Sequence, residues 1–252
     1  MQGWRILKHS WVQVTANFNA AIRISLVLHL ATVAGSLYFT SAVGDGLNDG
    51  TWVLMDDIWF QYAINMLVSS IGGLWIAVAW HRYILTGEIS DGWLPKLYLE
   101  MMWGYFWRGI LIAVTAIVST SVIVGFLVIA AGIAFGGSSA LSVIIPLIIF
   151  IPIIVVLFRL SPILPAIALG KTLSLKNSWK ATKGSTGVIA LFIAVFAIYY
   201  VVTANIVQPN IVGVSAFSIL WDLVVGWIMT MFSISVLTTL YGHYVEGREL
   251  MY

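Results

Sequence analysis

An all-α membrane protein with six transmembrane helices is predicted by three observations. The chain is 61% apolar and only 9% charged, with a mean hydropathy of +1.00, whereas soluble domains carry about a quarter charged residues. Six apolar stretches near 21–43, 59–85, 109–134, 140–160, 187–207 and 216–241 match the about 20 residues a helix needs to cross a ~30 Å hydrocarbon core. The connecting segments 44–58, 134–140 and 208–215 hold no Lys or Arg, and they alternate with segments that do. Loops rich in Lys and Arg are retained on the cytoplasmic side. Both termini are therefore expected in the cytoplasm, and residues 1–252 are expected to form a single transmembrane domain.

In chain order, the first span opens with Arg23, which can snorkel to the inner interface. Because its apolar run starts near Ala21, the N-terminus does not read as a cleaved signal. The fourth span holds Pro146 and Pro152, with Pro162 and Pro165 just after it. Neighbouring helices can satisfy the freed carbonyls, so bends are expected there and not a break. Aromatic belts support the borders. Trp52, Trp59 and Trp221 fall at the outer interface, and Trp4, Trp11, Trp80, Trp93, Trp103, Trp107 and Trp179 at or near the inner one.

A threefold hairpin repeat is legible in the borders. The even-numbered spans run into HRYILTGE (81–88), LPAIALGK (164–171) and YGHYVEGR (241–248), each with Gly before a charged residue. A glycine there suits a helix C-terminus, where the chain turns left-handed. Short amphipathic helices lying along the inner surface are expected before the odd spans, at 3–18, 92–106 and 172–184. In the first, Trp4, Leu7, Trp11, Val14 and Phe18 make a stripe with Arg5 and Lys8 off it. In the last, Leu175 and Trp179 share one face, with Lys176, Lys180 and Lys183 on another.

The stretches FRLSPILPAIALGKTLSLKNSWKATKG (158–184), AWHRYILTGE (79–88) and LYGHYVEGRE (240–249) resemble a group of uncharacterised proteobacterial six-span proteins. More distantly they are similar to YciC-like proteins and to the membrane domain fused to some glycerophosphodiester phosphodiesterases. The resemblance implies a fold and a location in the bacterial inner membrane. It carries over no active site, because the phosphodiesterase catalytic domain is absent from these 252 residues.

Polar residues inside the spans are the candidate functional positions, since burying them unpaired is costly. Ser25, His29, Thr32, Ser36 and Thr40 line one face of the first span, and Gln61, Asn65, Ser69 and Gly72 one face of the second. His29, Gln61 and Asn65 are expected to meet in a polar seam between spans one and two. No acidic residue is read at mid-span, which counts against proton coupling; Asp222 reads as a charge at the outer start of span six. Asp45, Asp49, Asp56 and Asp57 crowd the first outer segment without a known cation-loop spacing. Gly132 and Gly136 make a GxxxG match, a weak signal in a chain with 22 glycines. His81, Arg82, Arg159 and His243 stand at inner helix ends, as anchors, as helix C-terminal cations or as a phosphate-binding cluster.

No P-loop, HExxH, GxSxG or dinucleotide fingerprint occurs, and with no cysteine there is no thiolate chemistry. No cofactor, metal or nucleic-acid partner is expected. Membrane lipids are expected partners, with Arg5, Lys8, Arg82, Arg159, Lys176, Lys180 and Lys183 as contacts for anionic headgroups. Other membrane subunits are expected as well. The leading expectation is a non-catalytic accessory, assembly or scaffold subunit or a lipid organiser. The alternatives are a small transporter or channel using the polar seam, and an intramembrane lipid-processing enzyme that needs the four inner helix ends to converge.

Overall fold

The computed structural model describes residues 2–48, 55–89, 92–135, 141–207 and 215–250, and all regular structure among them is helical. Six helices are long and apolar enough to span a membrane, covering Phe18–Thr40, Trp59–Thr86, Leu99–Ala134, Ile148–Ala168, Thr186–Asn205 and Ala216–Tyr244. The elements are α1 (Gln2–Ala16), α2 (Phe18–Asn48), α3 (Met55–Thr86), α4 (Leu99–Phe135), α5 (Leu141–Leu160), α6 (Ile163–Ala168), α7 (Leu175–Ala181), α8 (Thr186–Val202), α9 (Ala216–Trp221) and α10 (Trp227–Tyr244). A π-helical turn, Thr203–Val207, extends α8, and another, Asp222–Gly226, joins α9 to α10. Asp49 and Gly136 lie outside the described residues, and so do the side chains of Asp45, Asp56 and Asp57.

Two expectations are corrected. Residues 92–98 are not a surface helix, and α4 starts at Leu99, well before the expected 109. Pro95 and its neighbours keep 92–98 irregular, whereas from Leu99 onward no proline interrupts the helix. The second correction concerns the prolines. Helix α5 runs through Pro146 and Pro152, but the chain breaks at Ser161–Pro162 before α6. Side chains stabilise that break by donating to the carbonyls it frees. Ser161 Oγ donates to Phe158 O (2.8 Å), and Ser178 Oγ and Thr182 Oγ1 both donate to Arg159 O (3.0 Å each).

The repeat reappears in the backbone. The only positive φ angles among the described residues are at Gly87 (75°), Gly170 (71°) and Gly247 (70°), the glycines of the three border motifs. The helices that carry those motifs, α3, α6 and α10, pack on one another in all three pairs. Leu85, Ala166 and Tyr241, one from each, form a buried cluster.

The segment leading into each repeat covers the repeat before it. Helix α1 packs on α8 and α10, and α7 packs on α5. In the 92–98 segment, Lys96 O accepts from Trp75 Nε1 (3.3 Å) and the Tyr98 ring lies 4.2 Å from the Arg82 guanidinium. The first leader covers the third repeat, so the ring closes. At that closure α1 touches α8 through bare backbone: a Cβ on Gly3 would stand 2.6 Å from the Gly187 carbonyl carbon. Only glycine fits there.

Span six is the hub. Trp227 Nε1 donates to Ser25 Oγ on α2 (2.7 Å), Trp80 Nε1 on α3 to Ser235 Oγ (2.8 Å), and Ser10 Oγ on α1 to Thr239 Oγ1 (2.9 Å). Val14, Ile24, Leu28, Ile76, Trp80, Trp227 and Met231 fill the apolar spaces between these bonds. Each indole thus buries its ring and satisfies its single N–H, which an apolar interior requires.

Candidate functional site

Spans one, two, five and six leave a cavity of about 450 Å³ beside the C-terminal half of span one and the N-terminal half of span six, called outer after the side that the distribution of Lys and Arg assigns to it, with walls that include His29, Ser36, Ser69, Tyr199, Asp222 and Thr230. The stripe predicted on span one does line it, but its partners differ from the expected ones. His29 turns to span six, where its Nε2 lies 3.1 Å from the backbone carbonyl of Asp222. A carbonyl only accepts, so Nε2 carries the proton and Nδ1 is left as an acceptor in the neutral ring. The carbonyl belongs to the π-helical turn Asp222–Gly226, where the shift from the i+4 register exposes backbone groups.

Asn65 does bridge spans one and two. Its Oδ1 accepts from Ser36 Oγ and from Ser69 Oγ, both at 3.5 Å. Close approach makes this contact, since a Cβ on Gly72 would come 3.0 Å from Thr32 Cγ2. Gln61 lies apart, its buried Oε1 without a hydrogen-bond partner among the described residues. The expected two-helix seam therefore opens into a groove that spans five and six also line. Sequence periodicity found the face but could not say that span six also looks onto it. Asp222, read as a terminal charge, stands in the cavity wall.

A second cavity, of about 500 Å³, lies toward the C-terminal end of span six, the inner end by the same distribution. Its walls include His9, Gln13, Tyr83, Thr239, His243 and Arg248. His9 Nε2 pairs with Gln13 Nε2 at 3.1 Å, while Gln13 Oε1 accepts from Thr239 Oγ1 at 3.3 Å. Burial, and then the nearby His243, push the His9 pKa below the ordinary histidine value.

Between the two cavities the protein is tightly packed. Trp80, His81, Ser235, Val236 and Thr238 are all fully buried. The tautomer of His81 follows from its neighbours. Thr238 Oγ1 donates to Ile234 O (2.8 Å), so it must accept from His81 Nδ1 (2.8 Å), leaving Nε2 to accept from the Tyr105 hydroxyl (3.3 Å). His81 is thus a neutral ring with both nitrogens occupied, not the helix-end cation its place in the sequence suggests.

The four inner helix ends do not share partners. Arg82 pairs with Glu88 (Nε to Oε2, 2.9 Å) and donates to Ala168 O (3.0 Å). Arg159 lies over the Trp179 ring at 3.8 Å and donates to Trp179 O (2.7 Å). His243 meets Gln2 and the Arg248 carbonyl. Arg82 and Arg159, proposed from sequence as lipid contacts, are thus engaged within the protein. Arg5, Lys8, Lys176, Lys180 and Lys183 are exposed on α1, α7 and the turn after α7.

One interaction escaped sequence reasoning entirely. Glu246 accepts from Lys171 Nζ (2.8 Å) and from Arg248 Nε (2.8 Å), and Arg248 Nη2 reaches Leu85 O at the end of α3 (2.9 Å). The Gly-plus-charge endings were the signal that could have found it, because the repeat brings them together. Burial works against the Glu246 charge, but the Lys171 hydrogen bond and the Arg248 charge hold its pKa below the usual carboxylate range.

No group of three or more His, Asp or Glu residues suited to a metal ion occurs among the described residues. Comparison with family models, with curated proteins and with solved structures finds no match for this chain.

Proposed function

We propose that the chain is a non-catalytic protein of the bacterial inner membrane, both termini cytoplasmic, that admits a small polar solute to its outer cavity and passes it along span six. The observation that carries this reading is the outer cavity. Six apolar helices in lipid normally close on one another, yet here hydroxyls, an imidazole and a carboxylate face about 450 Å³ of open space. Polar residues held at that depth mark solute pathways by default. The inner cavity on the same helix, with a fully packed layer between, has the arrangement of a path closed in the middle. Orientation rests on the distribution of Lys and Arg.

The accessory-subunit reading retains one observation, the exposed shelf of Trp103, Phe106 and Trp107 along α4, where Trp103 stacks on Phe106 and Trp107 meets both rings edge-on. An interfacial aromatic belt accounts for that shelf without any partner. Transport therefore stands first.

The natural absence of cysteine makes a direct test simple. Single cysteines at Ser69 and Thr230 should react with a small membrane-impermeant thiol reagent added outside. One at Gln13 should react only from the inside, and one at Val236 from neither. Controls at Asn48 and Lys176 set the orientation, the first labelling from outside and the second not. Inert cysteines at both Ser69 and Thr230 would mean a dry, packed bundle and would return the protein to the accessory class.

A further inference from the structure

The outer cavity is chemically one-sided. Asp222 is the sole formally charged side chain on its wall, and neither Lys nor Arg contributes to it among the described residues. The remaining polar groups are oxygens and one nitrogen with a free lone pair. Thr32 Oγ1 donates to His29 O (2.7 Å) and Thr230 Oγ1 to Gly226 O (2.9 Å), so both hydroxyls keep their oxygen lone pairs for a ligand. His29, with its Nε2 proton committed to the Asp222 carbonyl at 3.1 Å, offers an acceptor at Nδ1. The site thus presents acceptors and a negative charge, the complement of a donor-rich cation.

The surroundings select the same sign. The connecting segments on this side of the chain, 44–58, 134–140 and 208–215, carry four aspartates and no Lys or Arg. On the side that the distribution of Lys and Arg assigns to them, such charges favour cations over anions. The size of the site and the character of its walls then narrow the class. A space of about 450 Å³ is large for a bare inorganic ion, and Phe196 and Tyr199 contribute aromatic wall beside the oxygens. Aromatic faces attract an ammonium and also accommodate its alkyl chain.

We infer that the outer cavity takes a small organic cation, an alkylammonium, with Asp222 as its counter-charge and His29 Nδ1 and the Thr32 and Thr230 hydroxyl oxygens as acceptors for its N–H groups. This rests on the solute-pathway reading and gives it a substrate class.

The test uses the full chain in mild detergent with Ser69→Cys, on the cavity wall, as reporter and a small neutral thiol reagent as probe. n-Butylammonium, n-butanol and butyrate are compared as protectants because they share one alkyl chain and differ in charge. n-Butylammonium at ten times its half-saturating concentration should slow labelling about tenfold by simple occupancy. The alcohol and the carboxylate should leave the rate unchanged. Adding Asp222→Asn should abolish the protection, and Asp222→Glu should keep it, with the melting profile of each reporting that it is folded. Cysteines at 69 and at 230 that never label defeat the cavity reading and this inference together. Labelling that is protected equally by butanol or by butyrate, or that n-butylammonium still protects in folded Asp222→Asn, overturns the cation assignment alone. The comparison of the three protectants needs no variant at Asp222, so the assignment is tested even where that variant does not fold.

Discussion

His81 and His29 both sit in apolar helices that cross the membrane, and the protein treats them in opposite ways. His81 is 0% exposed, and each of its nitrogens has a hydroxyl partner, Thr238 on α10 and Tyr105 on α4. His29, 7% exposed, commits one nitrogen to a backbone carbonyl and turns its edge to an open cavity. The first is the hydrogen-bonded centre of a packed layer, in which every donor meets an acceptor. The second stands where acceptors outnumber the donors the protein supplies. The contrast extends along span six, from the π-helical turn Asp222–Gly226 at the open end to Ser235, Val236 and Thr238 in the closed layer. Identical chemistry at the two positions thus gives a structural histidine and a candidate ligand, and what decides between them is whether the partners are complete.

The largest expected effect lies in the closed layer. Trp80→Ala would remove the largest fully buried side chain and strand Ser235. It should cost about 3–5 kcal/mol, read as thermal unfolding of the purified protein in detergent. His81→Leu comes next. It leaves the Tyr105 hydroxyl and Thr238 without their imidazole partner and should cost about 1–3 kcal/mol by the same measurement. His29→Leu should cost only about 0.6 kcal/mol, the usual worth of a polar contact between membrane helices, while solute movement is lost. Protein level and activity must be read together here. Equal stability losses at positions 29 and 81 would erase the distinction, and unchanged activity in an abundant His29→Leu protein would remove His29 from the path.

The smallest effect is a pH dependence at the inner ends. The folded protein holds the Glu246 pKa below its ordinary value of 4.5. Its contribution to stability is therefore fully present above that value and is lost as pH falls through the lower, folded one. Lys171, raised by its hydrogen bond to Glu246, behaves in the opposite sense, contributing below its ordinary 10.5 and losing that contribution only in stronger alkali. Acid melting of Glu246→Gln should accordingly be flatter below about pH 4.5 than that of the unaltered chain.

The six spans were readable because length and apolarity are local properties set by the bilayer. The three border glycines were readable for a similar reason, since a left-handed residue at a helix end needs only its own sequence position. What failed depended on partners. Pro162 ends a helix while Pro146 and Pro152 do not, and the difference lies in the hydroxyls of Ser161, Ser178 and Thr182, which reach the carbonyls freed beside the break. The face of span one that carries His29 was legible as polar, but its opposite wall, Asp222 and Thr230, comes from the far end of the chain. Arg82 and Arg159 were legible as border cations, but their partners Glu88 and Trp179 were not.

The covering of each repeat by the next one's leader also dictates an order of assembly. Helix α1 precedes all six spans in chain order, yet its seats are Gly187 on the fifth and Thr239 on the sixth. While the middle spans are being inserted, the apolar face with Ile6, Leu7 and Val14 has nothing to dock on but the headgroup region. A segment made before all six spans is thus the last to settle, and the bundle becomes a closed ring only once the sixth helix has arrived. A chain interrupted before residue 187 would keep α1 parked on the membrane surface, which would give the cell's quality-control proteases a means of telling an unfinished molecule from a finished one.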